Sequence, residues 1–448
     1  MAESRPPVTG EALAKLKSTF EIGLIGAGEM GLLYARQLRD AGWQRVNICD
    51  LPSKYNELRN KLAGQGINVL PDGYAVSRLS DYIIYSVEAA NLPRVVAEYG
   101  RASKCGAIVG GQTSVKTPEI DAFEKYLPSD VQIVTMHSLH GPNISTQGQP
   151  LVVIRHRCGN EAYDRAHAVL QSLGANMVYL TYEEHDRITA DTQAVTHLAF
   201  ISMGTAWMTQ KVYPWENRTY IGGLENVKVN MAMRIYGSKW HVYAGLAILN
   251  PFAKAQINQY VQSVVELYKM MILGHKDAFR RRIHEAREFV FGGPSKDRSP
   301  ILLNDQIMDK FSLGNIPKQA RKPNSHLSLL AMVDCWHKMG INPFDHLICQ
   351  TPPFRLWLGI VEFCFRNSEI LEESIETAIN DKEVHAEDLS FFSMTQGWAQ
   401  CIQSGSFVGY QLRFQETAQF FESRLDEAKV NSTEMIKLIT QKTQSRNL

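Results

Sequence analysis

Three groups of residues in this 448-residue chain could do chemistry. The first is Gly26-Ala27-Gly28-Glu29-Met30-Gly31, a G-x-G-x-x-G run that follows the apolar stretch Ile22-Gly23-Leu24-Ile25 and opens a helical pattern. In that setting the first glycine permits a tight turn, the second lets backbone approach a pyrophosphate, and the third lets helix pack on strand. The positive end of the helix then faces the phosphates. Asp50 lies 19 residues after Gly31, where a second strand would end, and is placed to take a ribose hydroxyl. Ser53 and Lys54 follow at once and could hold a 2′-phosphate instead, so the residues leave NAD and NADP open.

The second group is Met136-His137-Ser138-Leu139-His140-Gly141-Pro142, directly after the strand-like Ile133-Val134-Thr135. Open α/β sheets bind ligands beyond the carboxyl ends of their strands. A histidine two residues past such an end is placed as an acid or base, with a pKa suited to proton transfer near neutrality. His140 makes an H-x-x-H pair with His137, but no third zinc ligand is apparent in the sequence, so no metal is expected. Ser114, in Gly110-Gly111-Gln112-Thr113-Ser114-Val115-Lys116 after the fourth strand, could fix the tautomer of His137 or be an ordinary loop serine.

The third group lies further on. Ala190, Ala194, His197 and Ile201 are spaced four, three, four and share one helix face. His197 could line a cleft or be a satisfied core group. Arg234 sits in an apolar setting after Val229 and Met231 to Met233. It needs a carboxylate, from the protein or from a substrate that it grips bidentately. Asn324, Ser325 and His326 cluster at a helix start, where capping is the simpler reading.

The elements that must position these groups fall into two kinds. Up to about residue 180, β-rich runs (Ile22–Ile25, Val46–Cys49, Tyr82–Val87, Ala107–Val109, Ile133–Thr135, Leu151–Ile154 and Met177–Leu180) alternate with helical stretches such as Glu29–Ala41 and Glu161–Leu173. That rhythm predicts a parallel, doubly wound Rossmann-type α/β sheet. Thr181 and Glu184 make a capping box at the start of a helical pattern that runs to about Lys211. Beyond it helices are expected at Trp240–Leu249, Ala253–Leu273, Lys276–Phe291, Ser325–Met339, Arg355–Arg366, Ile370–Asn380 and Thr417–Leu425. The expected organisation is an N-terminal extension over 1–19, a nucleotide-binding domain over 20–181 and an all-α domain over 182–448, with a softer break near 292–323.

A length of 448 residues favours more than one core, and a formal net charge of +1 gives no reason to expect nucleic acid. No apolar run reaches membrane-spanning length, so no membrane association is expected. Seven cysteines without a paired framework read as reduced core thiols of a cytoplasmic protein.

Several long blocks resemble the fungal prephenate dehydrogenases. They are Ser80–Glu88, His137–Pro142, Thr189–His197, Gly222–Asn230, Trp240–Leu246 and Pro323–Leu330. The likeness runs over roughly residues 20 to 440. It implies a Rossmann domain followed by a helical dimerisation domain, and oxidative decarboxylation of prephenate to 4-hydroxyphenylpyruvate in tyrosine biosynthesis. It implies NADP rather than NAD, despite Asp50. His137 matches the family's catalytic histidine, Ser114 the serine that supports it, His197 the histidine of the substrate pocket and Arg234 the arginine that grips the ring carboxylate. Tyr243, within the Trp240–Leu246 block, is carried over as a substrate contact. Ser138 stands where proline is usual, and Gln193 and Ala194 replace a serine and a histidine. Arogenate dehydrogenase, another two-domain reductase and a non-catalytic NADP-binding sensor are the alternatives.

Overall fold

A computed structural model describes residues 8–142, 144–293, 299–301, 308–349 and 351–444. The chain divides into two compact units, Met1–Arg187 and Ile188–Leu448.

The first unit is built on an eight-stranded sheet of order β3-β2-β1-β4-β5-β6-β7-β8. The strands are β1 (Glu21–Ile25), β2 (Arg45–Cys49), β3 (Asn68–Val69), β4 (Tyr82–Tyr85), β5 (Ile108–Gly111), β6 (Gln132–Ser138), β7 (Pro150–Arg157) and β8 (Asn176–Tyr179). The first six are mutually parallel. The expected parallel order holds through β6, and the sheet departs from it at the far edge, where β7 runs antiparallel to β6 and β8 runs parallel to β7. The cause is local. Between β6 and β7 the described residues hold no helix to act as a crossover and restore direction, whereas the Asn160–Gln171 helix carries β7 to β8.

Strands buried on both faces should be apolar throughout, and they are. Ile22, Leu24, Tyr82, Ile84, Val134 and Met136 pack into one core. Ile25, Ile83, Tyr85, Val109 and Ile133 pack into another. Strand β3, of two residues, was too short to be read from sequence, and the helix Gly10–Thr19 lies in what was expected to be a plain extension. Strand β5 continues through Gly110 and Gly111, which were expected in a loop. A Cβ on Gly110 would lie 2.3 Å from the Val134 carbonyl oxygen, so the glycine allows neighbouring backbones to approach.

In the second unit all regular elements among the described residues are helical. At its centre Val195–Thr209 is buried on every side over most of its length, against helices Gly223–Tyr236 and Lys382–Gln403. The expected helix Thr417–Leu425 straddles a break. One helix ends at Phe420 and the next, Glu422–Gln444, begins after Phe421. Phe421 is fully buried against Tyr213 and Trp215, so side-chain packing sets the break. Parts of the soft break, residues 294–298 and 302–307, lie outside the described residues.

Candidate active site

The dinucleotide turn has the geometry its glycines require. Gly26 has φ +109°, a conformation that L side chains rarely adopt, and a Cβ there would lie 2.3 Å from the Ser86 carbonyl oxygen. A Cβ on Gly31 would lie 2.1 Å from the Gly26 carbonyl oxygen, which is the close helix–strand contact. Around Gly28, by contrast, nothing lies within 4 Å of a built Cβ. That open face, at the start of the helix Glu29–Asp40, is where a pyrophosphate can meet backbone. The residues present therefore fit a dinucleotide. Asp50 turns inward: its carboxylate accepts from the Ala27 N–H at 3.0 Å and the Leu51 N–H at 2.7 Å. Lys54, with an exposed side chain, stands 3.8 Å from the Asp50 carboxylate and offsets its charge. Ser53 is also exposed, in the single turn Pro52–Lys54.

His137 lies inside β6, paired with Val152 of β7, and not in a loop two residues beyond the strand. The added antiparallel strand lengthens β6 past the point where apolar patterning stopped. Its supporting group is also different from the one expected. Among the described residues Ser114 makes no hydrogen bond to His137. The Nδ1 of His137 lies 2.8 Å from Nε2 of His185, and Nδ1 of His185 lies 2.8 Å from a carboxylate oxygen of Asp186. Asp186 in turn accepts from the backbone N–H groups of Lys116 and Thr117, each at 2.7 Å, and from the Thr117 hydroxyl. Burial would raise the Asp186 carboxyl, but these hydrogen bonds, led by that from His185, hold it below the usual range. Burial lowers the pKa of His185, and Asp186 opposes this only in part. Burial also holds His137 well below the ordinary histidine value, with His185, Lys116 and His140 adding to the effect.

Beneath His137 lies a closed ion pair. Lys116 and Glu119 are both fully buried, 2.9 Å apart. Lys116 also donates to the carbonyls of Gly111 at 3.0 Å and Met136 at 2.6 Å, which ties the end of β5 to β6. His140 is buried, with Nδ1 3.0 Å from the Gly141 carbonyl oxygen. No group of three histidine, cysteine or acidic side chains suited to a metal occurs among the described residues.

In the second unit three expected substrate residues come together. The rings of His197 and Tyr243 meet edge to face, with centroids 4.7 Å apart. Tyr243 sits on helix Trp240–Leu249, and its electrostatic influence opposes in part the burial that lowers the Arg234 pKa. Arg234 donates to the hydroxyls of Ser432 at 3.1 Å and Thr433 at 2.9 Å. It has no carboxylate partner among the described residues. Burial pushes His197 down to about 3, and its Nδ1 has no hydrogen-bond partner. The even helix face drawn through Ala190, Ala194, His197 and Ile201 does not exist, because Ala190–Ala194 forms a π-helical turn that shifts the register before His197. The π turn is held by Asp191, which accepts from Gln256 and lies 3.2 Å from His346.

The chain is 50% identical over 426 residues to a probable prephenate dehydrogenase [NADP(+)] of Schizosaccharomyces pombe, covering 95% of this chain and 99% of that one. It is 50% identical to the prephenate dehydrogenase [NADP(+)] of Saccharomyces cerevisiae, covering 98% of both chains. The chain belongs to the prephenate dehydrogenase family. Residues 194–441 match the family described as TYR1-like, 6-phosphogluconate dehydrogenase C-terminal domain. Among solved structures, the Aquifex aeolicus prephenate dehydrogenase in complex with hydroxyphenyl propionate and NAD+ superposes with a TM-score of 0.49 at 16% identity, over 60% of this chain and 96% of that one.

Sequence reading missed His185, Asp186, Lys116 and Glu119. The Thr181–Glu184 capping box was read, and it forms, with Glu184 accepting from the Thr181 N–H at 2.8 Å. The next two residues were the signal overlooked: a His-Asp pair in the first turns of a helix, polar where burial is expected. Asn324 and Ser325 behave as turn and cap groups, accepting from the N–H of His326 at 3.0 Å and of Leu327 at 3.2 Å. Of the cysteines expected in the core, Cys105 is exposed and Cys158 and Cys401 are half-buried.

Proposed function

We propose that this member of the family oxidises prephenate to 4-hydroxyphenylpyruvate and carbon dioxide, with NADP⁺ as hydride acceptor. The observation that carries the reading is the near-full-length 50% identity to fungal enzymes of that name, together with a buried, neutral His137. Gly26, Ala27, Gly28, Glu29, Met30 and Gly31 would hold the pyrophosphate. Ser53 and Lys54 would hold the 2′-phosphate, since the Asp50 carboxylate is already engaged by backbone amides. When bound, the nicotinamide supplies the electron-pair sink that removes the hydrogen from C4.

His137 accepts the proton of the C4 hydroxyl as that carbon acquires carbonyl character. A base of this kind contributes roughly 10²–10⁴ in rate. Arg234 binds the ring carboxylate, with His197 and Tyr243 beside it; its lack of a carboxylate partner among the described residues supports this role. Loss of carbon dioxide aromatises the ring, so the protein has mainly to position and polarise. Ser114 follows β5 and has no hydrogen bond to His137 among the described residues, so any part it plays is indirect. The division of the chain supports a cofactor domain over 20–181 and a helical domain over 182–448.

A homodimer fits the helical domain. Val408 and Leu412, at 68% and 64% exposure, lie on helix Phe407–Phe420, which packs on the helix bearing the exposed Val242. Unpaired cysteines fit the cytoplasm. No helix among the described residues is long and apolar enough to cross a membrane.

The test is the growth of reduced-nicotinamide absorbance when the protein meets prephenate or arogenate with NADP⁺ or NAD⁺. Oxidation of prephenate with NADP⁺ is expected to be fastest, and preference for arogenate would overturn the substrate assignment.

A further inference from the structure

His185 and Asp186 have no place in the roles assigned so far, yet both are fully enclosed in the first unit and aligned behind His137. A buried imidazole that touches a second imidazole on one side and a carboxylate on the other has its protons fixed by the order of the chain. Despite burial, the Asp186 carboxyl is held below its usual range, led among the lowering influences by the hydrogen bond from His185, and as an ionised acceptor it takes the Nδ1–H of His185. Nε2 of His185 is then a bare acceptor, and Nδ1 of His137 must donate to it. Nε2 of His137, which has no hydrogen-bond partner among the described residues, is left with its lone pair free. That is the tautomer a base requires.

We propose that His185 and Asp186 are positioning residues that hold His137 in this tautomer and receive the charge when His137 takes a proton. The inference rests on the reading of His137 as the base. In the step, the O–H bond at C4 breaks and an N–H bond forms at Nε2 of His137. The Nδ1–H bond of His137 breaks in turn, and an N–H bond forms at Nε2 of His185. The hydride leaves C4 for NADP⁺, the oxidant. The positive charge comes to rest on His185 against the Asp186 carboxylate. The bond between C1 and the ring carboxylate then breaks, carbon dioxide leaves, and its electron pair makes the ring aromatic and the C4 oxygen a phenolate. The proton returns to that oxygen by the reverse path, which restores the Nδ1–H of His137 and gives the phenol.

The charged and titratable groups around His137 agree with this. From the loop and helix after β5 come Lys116 and Glu119, which neutralise each other. His140 follows from the loop after β6, and its own pKa is lowered by burial. From the helix Glu29–Asp40, Tyr34 is engaged with Ser138 at 2.6 Å. Among the described residues Asp186 is the one carboxylate hydrogen-bonded to the histidine pair, so an imidazolium is stabilised at His185 rather than at His137.

The first experiment uses the full chain, labelled with ¹⁵N-histidine, without substrate. Long-range proton–nitrogen correlations are expected to show both His137 and His185 as Nδ1–H tautomers, retained in Ser114→Ala and lost in Asp186→Asn. An Nε2–H tautomer at His137 overturns the proposal whatever the enzyme does with prephenate. Failure to oxidise prephenate with both tautomers in place would sink the substrate assignment instead.

The second experiment uses His185→Gln. Its single-turnover rate should fall at least about tenfold, with the NADP⁺ dissociation constant within about twofold of the parent value. In mixed light and heavy water the rate of the parent enzyme should curve as two protons move, and that of His185→Gln should be linear. A role confined to packing leaves that curvature unchanged, and an unchanged rate and curvature would refute the relay. If His185→Gln does not fold, Asp186→Asn and the tautomers of the unaltered chain still decide the matter.

Discussion

The histidine of the sheet unit and the histidine of the helical unit are both buried and both held neutral, but they are finished to different degrees. His137 has its inner nitrogen committed to His185 and, through it, to Asp186, above the closed Lys116–Glu119 pair. Among the described residues His197 leaves Nδ1 without a partner, Gln193 leaves its amide nitrogen without one, and Arg234 hydrogen-bonds to hydroxyls alone. A group that takes part in bond breaking gains from being oriented before the substrate arrives, since nothing then reorganises during the reaction. A group that binds gains from being incomplete, since the ligand supplies the missing partner and recovers a desolvation cost already met in folding. The difference between the two regions is thus one of preorganisation against unfilled hydrogen-bonding capacity.

The contrast can be broken most forcefully in the sheet unit. Lys116→Met leaves Glu119 buried and uncompensated, and should cost about 3–5 kcal/mol of stability, read as a lowered denaturant midpoint; a midpoint close to the parent's would mean the ion pair is not structural. His137→Asn should reduce turnover at least about a hundredfold while NADP⁺ binding persists. Near-normal turnover would remove His137 from the chemistry.

In the helical unit the effect should fall on binding. Arg234→Ala loses a charge-assisted contact of about 1.5–3 kcal/mol, roughly a ten- to hundredfold rise in the prephenate Michaelis constant, while that for NADP⁺ stays put. Equal rises in both would deny it a carboxylate role.

Acid sharpens the comparison further. The folded pKa values of His137, His185 and His197 lie below the ordinary histidine value. Below about pH 6.5 the unfolded chain therefore binds protons that the folded chain refuses, and stability falls as pH drops. For His197 the loss continues down to about pH 3. Unfolding free energy measured at stepped pH should decline through that window, and a rise there would contradict the neutral assignments. The smallest effect is expected at the cofactor's edge. Lys54→Ala should cut the preference for NADP⁺ over NAD⁺ by about tenfold, a single exposed phosphate contact; an unchanged ratio of specificity constants would place the 2′-phosphate elsewhere.

The sequence alone determined what short-range physics controls. Gly26 and Gly31 mark a turn and a helix–strand contact that need glycine, with the open backbone of Gly28 between them, and the predicted helices Trp240–Leu249 and Lys276–Phe291 match the observed ones end to end. Periodicity, caps and breakers act within a few residues, so they survive in the order of the letters. Tertiary structure decided the rest. The direction of β7, the place of His137 inside β6, the break at Phe421 and the π turn before His197 depend on what packs alongside. His185 lies 48 residues from the ring it supports. The pairing exists because burial strips both rings of water and leaves Nδ1 of His137 and Nε2 of His185 to satisfy one another, a condition that no window of sequence contains.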